Sequence, residues 1–104
     1  MAEDARKVLV MGSIQAKPER IDELLALSLE HVRRSRSEPG CLSHAVHRDA
    51  EDPLRLVFVE EWADRAALLA HFAVPASRVF VKAAAACATA APSMSLYEVD
   101  ALNL

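Results

Sequence analysis

The sequence predicts an α+β fold, as a single domain over residues 1–104. Three observations lead there. Four short runs alternate at period two, the stretches between them carry apolar residues at helical spacing, and the order is β-α-β-β-α-α-β. A chain of this length can bury roughly two thirds of its unfolded surface, enough for a core without staples. Hydrophobic residues make up 53% and charged residues 26%, with a net charge of −3. That is a globular profile without the basic footprint of a nucleic-acid binder.

The first strand is "VLVMGSIQA", residues 8–16. Val8, Val10 and Ile14 form one apolar set and Leu9 and Met11 the other, as in a strand covered on both faces. A helix follows from Pro18, which suits a first turn, with Ile21, Leu24, Leu25, Ser28 and Val32 on one face. His31 flanks that face. The basic run Arg33–Arg36 falls at the helix end, where cations favour the dipole, and "EPG" stops the helix. Residues 41–48 read as the second strand and 54–62 as the third, with the turn cluster "DAEDP" making them a hairpin. Asp64 is an N-cap for a short helix through Phe72. Pro75 opens another that runs through the alanines at 83–86 to Cys87, and Pro92 is expected to end it. "SMSLYEV", 93–99, is the fourth strand.

Two split βαβ halves in this order give a ferredoxin-like sandwich, with helices on one face of a four-stranded antiparallel sheet. Strand 3 is apolar on both sides: Leu54, Leu56, Phe58 and Trp62 share one face, Val57 and Val59 the other. The helices cover one face only, so the second is expected to meet the same sheet of another copy in a homodimer. One of Val10 and Phe58 is expected on that partner-facing side.

In "EPGCLSHAVH", residues 38–47, alternation puts Leu42, His44 and Val46 on one face and Cys41, Ser43, Ala45 and His47 on the other. The small set suits close approach of a helix, which would leave His44 on the subunit-facing side. Cys41, His44 and His47 cannot converge on a metal from this strand alone. There is no CxxC, HExxH, GxGxxG or P-loop, so no metal and no cofactor are expected. "MAEDARK" is charged and "VLVMGSI" is too short to span a membrane. A cytoplasmic protein with no membrane or nucleic-acid partner and with Cys41 and Cys87 reduced is expected.

"EPGCLSHAV", then "VEEWADRAALLAHF", then a proline leading into an Ala/Phe-containing helix, resembles the antibiotic biosynthesis monooxygenase family over nearly the whole chain. Gly40-Cys41, Glu60-x-Trp62 and Ala70-His71 carry the likeness most sharply. The resemblance implies a dimeric α+β barrel, quinol monooxygenase-like members, and a pocket between sheet and helices in each subunit, bordered by Trp62. The chain departs from it at His44, where many members have Tyr, and at Ala76, where many have His. Haem-degrading relatives use a histidine on the last helix and an asparagine in strand 1. This chain has neither, so a haem role is not implied.

The candidate residues each have a bland reading as well. His44 is a buried histidine of the core or a pocket acid–base, because free imidazole titrates near neutrality. His71 is a helix-edge hydrogen-bonder or the reserve base. Phe58, Trp62 and Phe72 are core or the walls of an aromatic pocket. Glu60, a carboxylate on an apolar face, needs a partner and can serve as an ion-pair member or a substrate contact. Tyr97 on strand 4 can hydrogen-bond a ligand. The function expected is a cofactor-independent monooxygenase acting on a quinol-like or polyphenolic aromatic. The alternatives are a non-catalytic dimeric module that binds a small hydrophobic molecule, and a cofactor-free isomerase on the same fold.

Overall fold

A computed structural model describes residues 6–104; residues 1–5, the charged opening of the expected domain, lie outside the described residues. The elements follow the predicted order: β1 Lys7–Gln15, α1 Ile21–Ser35, β2 Cys41–Arg48, β3 Arg55–Trp62, α2 Arg65–Ala73, α3 Pro75–Cys87 and β4 Ser93–Val99. A 3-10 turn at Pro18–Arg20 leads into α1. The strands form one antiparallel sheet in the order β2-β3-β1-β4. Helices and sheet together make the ferredoxin-like sandwich.

Local chemistry sets the helix limits. On α1 the residues Leu24, Ser28, His31, Val32 and Ser35 recur at three- and four-residue steps and are all buried. His31 thus lies within the buried stripe and not beside it. α2 begins where the Asp64 carboxylate accepts the Ala67 N–H at 2.8 Å. Val74 is extended and Pro75 occupies the first position of α3, so the two helices meet at 71°. α3 stops at Cys87, short of Pro92, because the chain there bonds to the end of β1 instead: Thr89 N–H donates to Gln15 O at 2.9 Å. Among the described residues no single helix is long and apolar enough to cross a membrane.

The loop between α1 and β2 turns at Gly40, whose φ is 82°. A Cβ built there would overlap the Ala67 methyl of α2, so both the backbone and the packing require glycine. This seats the loop against α2 and brings Glu38 to the end of that helix.

The sheet registers correct the reading of β2. His44 lies opposite Glu60 and Val46 opposite Phe58, so both face the helices, while Ser43, Ala45 and His47 face away. The strand is irregular between Cys41 and Ser43, where Leu42 is the extra residue. Cys41 therefore pairs with Trp62 and joins the helix side, and Leu42 is exposed. A strict period of two cannot foresee that insertion. Val10 and Phe58 also both point inward, and neither faces outward.

Two apolar clusters fill the space between sheet and helices. One gathers Ile14, Leu24, Val32, Leu56, Phe58 and Cys87. The other is Val8, Val10, Trp62 and Leu68, with Phe72 packed against it. Between Phe58 and Trp62 on β3 comes Glu60, and the buried polar side chains His31, His44 and His71 sit around it. Among the described residues no helix covers the opposite face of the sheet. Met11 pairs with Val59, which pairs with Ala45 in turn, and Leu9 lies beside Tyr97.

Candidate functional site

A cavity of about 470 Å³ opens between the sheet and α1–α3. Its wall includes Phe58 and Glu60 from β3, His71 and Phe72 from α2, His31 from α1 and Phe80 from α3. Its lining is mostly apolar with a few convergent polar groups, the ordinary character of a small-molecule site.

Four of the residues predicted from sequence meet here: Phe58, Glu60, His71 and Phe72. His44 and Trp62 are not on the wall. Both stand behind it, fully buried, with the Trp62 ring 4.6 Å from that of His71. Tyr97 is on the other face of the sheet, half exposed.

The polar groups form one network. Trp62 Nε1–H donates to Glu60 Oε1 at 2.9 Å. His44 Nε2 comes within 3.2 Å of the same oxygen. That approach is off the line of a hydrogen bond, and both His44 ring nitrogens are sealed without an aligned partner. Burial works against the Glu60 carboxylate, but His44, the Trp62 N–H and His71 outweigh it and hold its pKa below the ordinary value. Glu60 is therefore a carboxylate at neutral pH.

His71 and His31 are each oriented by a charged partner on the remote ring nitrogen. Glu38 Oε1 lies 2.8 Å from His71 Nδ1. A carboxylate accepts, so Nδ1 carries the hydrogen and the neutral ring presents the Nε2 lone pair. At His31 the arrangement is inverted. The Arg34 guanidinium, one helical turn on, lies 2.8 Å from Nδ1 and can only donate. Arg34 also donates to Ser77 Oγ at 3.2 Å. The His31 ring stacks on Phe80 with centroids 4.1 Å apart and planes 7° from parallel. Burial, then His44, His71 and Arg34, push its pKa from 6.5 to about 3.

Ring nitrogens of His31, His44 and His71 lie within 4.8 Å of one another. Tetrahedral zinc at about 2.0–2.1 Å from each ligand needs them roughly 3.3 Å apart and each with a free lone pair. Arg34 occupies one lone pair of His31, so its neutral ring has the hydrogen on Nε2. While Arg34 stays in place the three rings thus offer a metal at most two free lone pairs, those of His44 and His71. Its chemistry is that of proton transfer and hydrogen bonding.

Sequence spacing could not show that histidines from α1, β2 and α2 converge. Glu38 and Arg34 escaped notice as well, Arg34 because the basic run suits a helix end whatever else it does. The available signal was local: His31, Arg34 and Glu38 follow one another at steps of three and four, which places them along one side of α1 and its exit.

The molecule is thus an α+β sandwich domain with a cavity between sheet and helices, walled by aromatic rings and by histidines held on charged partners. The chain belongs to the antibiotic biosynthesis monooxygenase family, whose model matches residues 7–83. A solved structure described as an antibiotic biosynthesis monooxygenase is 36% identical, with a TM-score of 0.83 over 92% of this chain and 99% of the other. A Deinococcus radiodurans protein provisionally assigned to the same class is 26% identical, with a TM-score of 0.88 over 93% and 97% of the two chains. The uncharacterized protein sll1783 of Synechocystis sp. is 38% identical over 86 residues, which are 79% of this chain and 58% of that protein. The chain thus spans little more than half the length of that relative.

Proposed function

We propose that this chain is a monooxygenase of small electron-rich aromatics of the hydroquinone class, with His71 as its general base. The observation that carries the reading is the Glu38–His71 pair, 2.8 Å apart, with His71 on the wall of a cavity of about 470 Å³. The family, with a monooxygenase-described structure at 36% identity, supports the reaction class. His44 was the first choice of base from sequence, but it has no access to the cavity, and His71 takes the role.

Dioxygen is a triplet and reacts slowly with closed-shell organics. A phenol that loses its proton becomes an electron donor, and the substrate can supply every electron the reaction needs. A hydroquinone plus O2 gives a hydroxyquinone plus water: one oxygen forms a new C–O bond, and the other leaves as water. His71 Nε2 takes the phenolic proton, and the imidazolium so formed is stabilised by Glu38 and by Glu60. Phe58, Phe72 and Phe80 wall the ring and keep bulk water away from the anion. The uncovered sheet face supports a homodimer, with Leu9, Met11, Val57, Val59 and Ala45 at the contact.

The test is oxygen consumption with a panel of hydroquinones and no added cofactor. His71→Asn should lower kcat about 10²- to 10⁴-fold with little change in KM. No turnover above the spontaneous rate across the panel would refute the activity and leave a binding module. Full activity in His71→Asn would keep the enzyme and reject the base.

A further inference from the structure

We infer that His31 forms an oxyanion subsite in this cavity: a neutral imidazole whose Nε2–H donates to the phenolate oxygen of an aromatic ligand. The inference rests on the proposed reaction for its biological meaning, but its geometry stands apart. Arg34 donates to Nδ1 at 2.8 Å, and a guanidinium has no lone pair to accept with. The hydrogen of the neutral ring is therefore on Nε2. That atom makes no hydrogen bond to a described residue and is not among the sealed polar atoms, so it opens on the cavity that His31 lines. Stacking on Phe80 fixes the plane of the ring, and Arg34 fixes its rotation. A donor held this way needs no reorganisation when charge appears beside it.

The groups around His31 agree with a neutral donor. From β2 comes His44, from α2 His71, from its own helix Arg34, and from α3 the Ser77 hydroxyl and the Phe80 ring, with Arg78 of α3 on the same cavity wall. A second positive charge on His31 would face Arg34 directly, which burial makes costly. Glu60 is the carboxylate on the same wall. Its Oε1 is taken by Trp62 and lies against His44, and its charge drives an anionic oxygen toward His31 and away from β3.

The His31 and His71 rings are 5.3 Å apart, with ring nitrogens within 4.8 Å. One oxygen can therefore lie at about 2.8 Å from a nitrogen of each, the ordinary length of a charge-assisted bond. His71 receives the proton from that oxygen, and His31 donates to the anion left behind. Two histidines 5.3 Å apart thus take opposite roles because their remote nitrogens face opposite charges, Glu38 and Arg34.

Ring-nitrogen NMR on the full chain tests the tautomer directly. His31 should stay neutral with the proton on Nε2 through pH 6 to 8, in roughly the range where free imidazole changes charge. A proton on Nδ1, or a cationic ring at pH 7, would overturn the assignment. So would Co²⁺ binding with a tetrahedral spectrum that His31→Phe abolishes, since that needs a free Nε2 lone pair. The subsite itself is read with 4-nitrophenol, whose phenolate is coloured and whose nitro group makes it a poor electron donor. His31→Phe should weaken 4-nitrophenolate binding about 10- to 100-fold, the range expected for a hydrogen bond to a charged group. Binding of nitrobenzene, which has no phenolic oxygen, should be unchanged, and His31→Gln should restore part of the loss. Equal phenolate affinity in wild type and His31→Phe, or no phenolate binding by wild type at millimolar concentration, would reject the subsite. Failure of hydroquinone turnover with these binding results intact would reject only the monooxygenase reading.

Discussion

Acid should weaken this fold through His31, and the surroundings of the ring set the size of the effect. The free group titrates at 6.5 and the folded one at about 3. Between those values the unfolded chain holds a proton that the folded chain refuses. Stability is therefore fully present above pH 6.5 and falls as pH drops toward 3, by up to about 1.4 kcal/mol per pH unit. At pH 4.5, about two units into the window, the loss from this ring is at most about 2.7 kcal/mol. A small domain has about 5–15 kcal/mol in all, so the change is readily measured. The assay is urea unfolding of wild type and His31→Phe at about pH 7.5, 6 and 4.5. The variant keeps an aromatic ring against Phe80 but has no proton to take up, so its stability should fall much less over that range. Glu60 acts with the same sign: its folded pKa is depressed, and its contribution is lost as pH falls below its free value of 4.5. It is present in both proteins and drops out of the difference. Parallel loss of stability in the two proteins would refute the argument, as would a wild type whose stability is flat down to pH 4.5.

Two further outcomes test the frame around the site. Gly40→Ala should lower stability by about 1–3 kcal/mol or more, because the residue has φ 82° and its new methyl would meet that of Ala67; a melting temperature within 1 °C of wild type, roughly the resolution of a thermal scan, would show that the loop relaxes freely. Val59→Asp, on the sheet face without helices, should shift sedimentation from dimer to monomer while the circular dichroism of the fold is kept; a wild type that is already monomeric at micromolar concentration would remove the homodimer.

Most of the architecture was legible because helix and strand periods differ so plainly. The double apolar pattern of β3, the Asp64 cap and the Pro75 start each have one physical cause, and each is found where the residues put it. Facing was harder. His44 was expected on the outer side because Cys41, Ser43 and Ala45 are small, yet size is a weaker guide than register, and pairing with Glu60 turns His44 inward. The site was half legible: Phe58, Glu60, His71 and Phe72 come from the same stretch of chain and were read together. His31, Arg34 and Glu38 acquire their roles only when α1 is laid across the sheet. A helix-end arginine and a loop glutamate have many uses, and which histidine each one meets is a fact of tertiary structure.

The extra residue at Leu42, at the start of β2, gives the segment from Glu38 to His44 a length it cannot change. Gly40 is pinned against α2, and His44 is pinned opposite Glu60. The chain between them must turn Cys41 and His44 to the same side, which three steps of a regular strand would never do. Deleting one residue there would force the segment to choose. It could keep β2 in register and pull Glu38 off His71, or keep Glu38 and slide the strand by one so that Ala45 replaced His44 against Glu60. The substitution tolerance of this loop and its tolerance to insertion are therefore separate properties. Position 42, an exposed residue, should accept substitution far more freely than the chain accepts a change in the count of residues from Glu38 to His44.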